Sequence, residues 1–166
     1  MIVLVLGGAR SGKSAVGERL AAELAAGGGV TFLATATVGD DDMAVRVAAH
    51  RARRPEHWAT VETGPGLVDA LATAHGTVLV DALGTWVAGA PGLSVDACAL
   101  CDALTARVDP TVVVSDEVGL GVHPTTEAGR RFRDALGELN AAVARVADEV
   151  LLVVAGRALR LGEQPT

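Results

Sequence analysis

Short apolar runs alternate along the chain with segments whose apolar positions repeat at helical spacing. The runs at 2–6, 30–34, 58–62, 77–81, 111–115 and 150–155 are predicted strands. Most are unbroken Val/Leu stretches without in–out alternation, as expected of strands covered on both faces of a parallel sheet. Between them, helical spacing predicts helices over 13–26, 41–54, 65–74, 96–108 and 127–146. Local signals agree: Asp40 stands as an N-cap, Pro65 falls in a first turn, Ser94 precedes an acidic first turn, and Gly27 follows a last turn. The tail from Arg157 to Thr166 is expected to add a short edge strand. Strand–helix alternation of this kind builds a three-layer α/β domain. No repeat, low-complexity linker or composition break divides residues 1–166, so a single domain is expected.

Composition narrows the partners. The 166 residues are 50% apolar and 20% charged, with a formal charge of −6. Two Phe, two Trp and no Tyr leave an aliphatic core and remove the stacking platforms of single-strand binders. A sequence pI near 5.1 provides no basic field for nucleic acid or anionic lipid. No apolar run approaches the roughly 18 residues of a membrane span. Met1 runs straight into the first apolar strand, with no basic segment before it and a glycine loop rather than a cleavage site after it, so no signal peptide is expected. Cys98 and Cys101 form a CxxC, but no further Cys or His lies near them in sequence to complete a zinc site. They are expected to be small buried residues of a reduced, cytoplasmic protein.

Gly7-Gly8-Ala9-Arg10-Ser11-Gly12-Lys13-Ser14 fits GxxxxGK[ST], placed after a predicted buried strand and before a predicted helix. Glycines there let successive backbone N–H groups turn inward, and the helix N-terminus adds partial positive charge. In such a loop the lysine reaches the β- and γ-phosphates and the serine hydroxyl ligates Mg²⁺. Lys13 is the only lysine in the chain. A P-loop also needs an acidic group at the end of another strand to hold Mg²⁺ through water. Asp81 ends one predicted strand and the Asp116-Glu117 pair ends another, and sequence alone ranks neither above the other. Asp116-Glu117-Val118-Gly119 also satisfies the DxxG of switch GTPases, but no [NT]KxD guanine-reading motif is possible with a single lysine.

A second unusual stretch runs from Asp40 to Pro55. Three aspartates open it and arginines close it, which matches a helix macrodipole without any further role. Arg46, His50 and Arg54 fall at i, i+4 and i+8, so one predicted helical face carries an imidazole between two guanidiniums. A neutral imidazole can attack phosphorus, and flanking cations favour that neutral form and stabilise departing pyrophosphate. Read in isolation, the same histidine is an ordinary helix-surface residue. His57, His75 and His123 carry less, although His123 lies in a glycine-rich loop just beyond the acidic pair.

These segments together resemble one family. GGARSGKS at the P-loop, ATAT and DDDM, RVAAHRARRPEHW, TVE, VLVDALGTW, SDEVGLGVHP, GRRFRDALGELN and ADEVLLVVAG span nearly the whole chain. They are similar to the bifunctional adenosylcobinamide kinase / adenosylcobinamide-phosphate guanylyltransferase of cobalamin biosynthesis. The resemblance implies a RecA-like P-loop α/β domain with a mostly parallel sheet, assembled as a homotrimer. It implies phosphorylation of adenosylcobinamide by ATP or GTP, then transfer of GMP from GTP to adenosylcobinamide phosphate through a GMP-histidine. His50 occupies the nucleophile position. Nucleotide-binding positions carry over to Gly7, Gly8, Ala9, Arg10, Ser11, Gly12, Lys13, Ser14, Thr35, Ala36, Thr37, Arg51, Ala52, Arg53, Arg54, Glu62 and Asp81. Mg²⁺ is expected on Ser14 with Asp81 or Asp116. Two departures stand out: Ala49 replaces the first of a common histidine pair, and Asp116 stands where the loop often has Asn. The rival readings are a P-loop small-molecule kinase without guanylyl transfer and a RecA-like ATPase module.

Overall fold

The computed structural model describes residues 1–36, 55 and 57–162. Seven strands form one sheet: β1 (Ile2–Gly7), β2 (Val30–Ala34), β3 (Ala59–Glu62), β4 (Thr77–Asp81), β5 (Thr111–Asp116), β6 (Glu149–Val154) and β7 (Arg157–Leu161). Their order across the sheet is β3-β2-β4-β5-β1-β6-β7. All pairs are parallel except β6 with β7, which closes the far edge as an antiparallel hairpin. The mostly parallel α/β sheet expected from the sequence is thus present, and β5 lies between the P-loop strand β1 and the strand β4 that ends in Asp81.

The described helices are α1 (Lys13–Leu24), α2 (Leu67–Thr73), α3 (Leu83–Gly89), α4 (Ala97–Thr105) and α5 (Glu127–Val146). Alternate residues of β1 serve opposite faces. Ile2, Leu4 and Leu6 join Val78, Val80 and Val113 in a core that also holds Leu71, Leu83, Leu104 and Leu136 of α2 to α5. Val3 and Val5 join Val112, Val114 and Leu79 beneath Val16 and Ala21 of α1. Two covered faces explain why β1 is buried at all six positions and reads as one apolar run.

Helix ends follow local chemistry. Thr126 caps α5, its side chain accepting from the Gly129 N–H at 3.1 Å, and α5 spans the predicted 127–146. Asp96 is the N-cap of α4 rather than its first residue, accepting from the Ala99 N–H at 2.9 Å. Helix α1 stops at Leu24, two residues early, where Ala26 (φ 48°) and Gly27 (φ 88°) enter left-handed backbone. The segment predicted as a helix from 65 opens instead as a 3₁₀ turn, Gly64–Gly66, which carries Pro65. Helix α3 was not predicted at all. The predicted helix 41–54 lies outside the described residues. The cysteine expectation is corrected as well: both lie on α4, but Cys98 is exposed and Cys101 half-buried, because the inner face of α4 is filled by Leu100 and Leu104.

Candidate functional site

Five strand ends line up along the carboxyl edge of the sheet. Gly7 pairs with Asp116, Ala34 pairs with both Asp81 and Glu62, and Asp81 pairs with Val114. This edge, where a crossover strand separates β1 from β4, is where open α/β sheets bind ligands.

The glycine loop folds over the end of β1. A Cβ at Gly7 would collide with the Ser11 hydroxyl and sit 2.9 Å from the Val153 carbonyl, so only glycine fits beneath the loop. Arg10 (φ 57°) and Gly12 (φ 93°) turn the chain through left-handed backbone into α1. The Ser11 carbonyl accepts from the Gly156 N–H at 2.7 Å, which ties the loop to the β6–β7 turn. Ser11 is buried, and its hydroxyl accepts from the Lys13 N–H at 3.3 Å. Gly12 stands at the N-cap of α1 with no capping side chain, leaving the positive end of the helix directed at the loop.

Two carboxylates meet the residues that leave the loop. The Ser14 hydroxyl donates to Asp81 Oδ1 at 3.3 Å. Lys13 Nζ forms an ion pair with Asp116 Oδ1 at 2.7 Å and lies 3.5 Å from the Gly8 carbonyl. The alternatives left open by the sequence therefore divide in space: Asp81 reaches the serine and Asp116 the lysine. Glu62 ends β3, two strands from Asp81 and so roughly 10 Å away at the usual strand spacing. It borders the site on the side remote from the P-loop.

Thr35 is buried, and its hydroxyl is engaged within the protein. It meets the Ala82 carbonyl at 2.5 Å and Thr85 Oγ1 at 2.6 Å, and accepts from the Ala82 N–H at 3.1 Å. Thr35 thereby fixes the chain immediately after Asp81. Ala36 follows at the edge, half-buried. Thr37, His50, Arg51, Ala52, Arg53 and Arg54 lie outside the described residues. His123, which adjoins the acidic pair in sequence, has Nδ1 2.8 Å from Arg133 Nη1 on α5.

Three residues that sequence reasoning passed over support the site. Asn140 of α5 is buried, accepts from the Ser115 hydroxyl at 2.6 Å and donates to the Asp116 carbonyl at 3.0 Å. Gly84 leaves room for the Asp116 carboxylate, which a Cβ there would overlap. Thr85 completes the Thr35–Ala82 network. A polar residue at the otherwise apolar inner face of α5 was the only sequence signal for Asn140.

Ser14 and Asp81 are hard oxygen donors facing one another, a set that suits Mg²⁺ shared with phosphate oxygens and water. Among the described residues no group of three or more His, Cys, Asp or Glu converges to cage an ion. Among the described residues, no helix is long and apolar enough to cross a membrane.

A glycine loop that runs from a buried strand into an uncapped helix N-terminus, with two carboxylates at neighbouring strand ends, defines a P-loop α/β domain of the nucleotide-binding class. Comparison with known proteins narrows the class. Residues 3–161 match the family described as cobinamide kinase / cobinamide phosphate guanyltransferase, and the chain belongs to it. It is 42% identical over 171 residues to the bifunctional adenosylcobalamin biosynthesis protein CobP of Pseudomonas aeruginosa, covering 98% of each chain. It is 34% identical to the proteins named CobU of Escherichia coli and Salmonella typhimurium, covering 97% of this chain and 99% of each of theirs.

Proposed function

We propose that this protein phosphorylates adenosylcobinamide with ATP or GTP and then transfers GMP from GTP to the resulting phosphate, with His50 as the transient carrier. One observation carries the reading: the P-loop residues Lys13 and Ser14 meet two strand-end carboxylates at one edge of the sheet, in a chain that matches the family over residues 3–161.

In the kinase step the loop amides and Lys13 hold the β- and γ-phosphates, while the acceptor hydroxyl oxygen bonds to the γ-phosphorus and releases its proton. The bond to the bridging oxygen breaks, and the nucleoside diphosphate departs against Lys13 and the N-terminus of α1. Ser14 and Asp81 would hold Mg²⁺, which would supply neutralising positive charge to the phosphates. In the transferase step a neutral His50 nitrogen attacks the α-phosphorus of GTP and pyrophosphate leaves. The cobinamide phosphate oxygen then attacks the same phosphorus, the N–P bond breaks, and His50 is regenerated. Arg51, Arg53 and Arg54, which follow the nucleophile in sequence, supply positive charge for the triphosphate, and Thr37 and Glu62 belong to the same nucleotide-binding set. A homotrimer with sites near its subunit contacts fits the family resemblance.

Purified protein incubated with adenosylcobinamide, GTP and Mg²⁺ should yield first the phosphorylated and then the GDP-linked corrinoid, resolved by mass spectrometry. Lys13→Ala should lose both products, because both steps need the triphosphate held by one loop. Survival of the kinase product in Lys13→Ala would refute the shared loop.

A further inference from the structure

We propose that Asp116 is a positioning residue for Lys13, and that by sharing this ammonium with the γ-phosphate it sets how strongly the protein prefers triphosphate to diphosphate. The inference rests on the P-loop reading above. Lys13 is largely enclosed, its side chain 13% exposed, and the Asp116 carboxylate at 2.7 Å is its near partner, with the Gly8 carbonyl at 3.5 Å. No other lysine exists in the chain to take over either contact.

Asp116 is also held from behind. Its carbonyl accepts from Asn140, whose own amide oxygen is fixed by Ser115. Gly84 at the start of α3 packs so closely on the carboxylate that a Cβ would overlap it. Strand register sets the carboxylate opposite Gly7, where the loop begins. A triphosphate in the loop places its β- and γ-oxygens on Lys13. The γ-oxygens then share an ammonium with a carboxylate that is a third exposed but closed off on its Gly84 side. Like charges at this range repel appreciably in a partly enclosed site. The β-phosphate lies deeper among the loop amides and is affected less. The ion pair thus keeps Lys13 aimed across the loop while weakening the grip on the γ-phosphate specifically.

The test compares GTP and GDP binding by calorimetry for the wild-type protein and Asp116→Asn, which keeps an acceptor for Lys13 but removes the charge. GTP should bind about tenfold more tightly to the variant, and GDP less than twofold more tightly. A GTP/GDP affinity ratio unchanged within twofold, or equal tightening of both nucleotides, would overturn the proposal. In steady-state kinase assays Asp116→Asn should lower KM for the triphosphate. Asp116→Ala, which releases Lys13, should lower kcat at least tenfold; wild-type kcat in that variant would overturn the positioning role. If the wild-type protein binds neither nucleotide, the P-loop reading fails and this proposal fails with it. Binding without the expected shift rejects this proposal alone.

Discussion

Replacing Gly17 with alanine puts a methyl group where α1 rests directly on the sheet. The new Cβ would lie 2.6 Å from Val114 Cγ2, 3.4 Å from Leu79 Cδ1 and 3.8 Å from Val112 Cγ1. Ordinary carbon contacts need about 3.5–4.0 Å, so the first falls short by roughly 1 Å. Val114 cannot turn aside, because it is fully buried on a central strand and β-branched side chains have few rotamers. Helix α1 must therefore lift. Overpacking of this kind costs about 1–3 kcal/mol, and the better helix propensity of alanine returns about 1 kcal/mol. A net loss of up to about 2 kcal/mol lowers Tm by as much as roughly 8 °C for a domain of this size. Gly137, exposed on α5 with nothing near its missing Cβ, provides the control. There the same substitution should stabilise by up to about 1 kcal/mol.

The functional consequence follows from helical spacing. Gly17 lies one turn beyond Lys13 and Ser14 on α1, so lifting the helix at that point disturbs the 3.3 Å contact of Ser14 with Asp81. Thermal unfolding by circular dichroism, together with nucleotide titration of the same samples, separates the effects. Gly17→Ala should melt lower and bind nucleotide several-fold more weakly, whereas Gly137→Ala should melt slightly higher and bind as wild type. If Gly17→Ala proves as stable as Gly137→Ala, the close approach of α1 to β5 is wrong.

Two further predictions concern the opposite edge of the sheet and the outer helices. The half-buried Arg107 guanidinium donates to the Leu71, Ala74 and Gly76 carbonyls at 2.7–2.9 Å and to Thr111 Oγ1 at 2.9 Å. Arg107→Met should cost about 3 kcal/mol through unpaired carbonyls without changing nucleotide affinity, since the site lies at the other end of the strands. A Tm shift below about 2 °C would contradict it. On α4, burial pushes the Cys101 thiol pKa up, with Cys98 adding to the rise. A raised pKa means less thiolate at any given pH, so Cys101 should alkylate more slowly than exposed Cys98 and its rate should keep rising above the ordinary thiol range. Peptide mapping after timed alkylation at stepped pH reads both, and faster labelling of Cys101 at pH 8 would contradict the packing of α4.

Much of the sheet was legible because its strands are buried on both faces. Continuous runs such as Thr77-Val78-Leu79-Val80-Asp81 admit few other readings, and the strands at 30–34 and 77–81 have the predicted bounds. Long amphipathic α5 was equally plain, with Thr126 as its cap. Helix α3 was not: Leu-Gly-Thr-Trp-Val-Ala-Gly carries two glycines, no cap and no polar stripe. Tertiary burial of Leu83, Trp86 and Val87, rather than intrinsic propensity, accounts for it.

The same gap hid part of the site. Sequence placed Lys13, Asp81 and Asp116 at loop or strand ends, but choosing between the two aspartates needed the strand order. With β5 beside β1, Asp116 lies opposite Gly7 and meets the lysine; with β4 one strand further, Asp81 meets the serine. Gly84 and Thr85 have no meaning until α3, which carries both, is set against Asp116 and Thr35. Thr35 could be picked out by resemblance, but its hydrogen bonds to the Asp81–Ala82 segment could not.

The central claim, guanylyl transfer through His50, is tested most directly by covalent labelling. The protein is incubated with α-labelled GTP and Mg²⁺, denatured, and assayed for label retained on the polypeptide. Label that is acid-labile, stable to alkali and absent from His50→Ala is the predicted result. Bound nucleotide with no retained label, or label of equal yield in His50→Ala, would contradict the account.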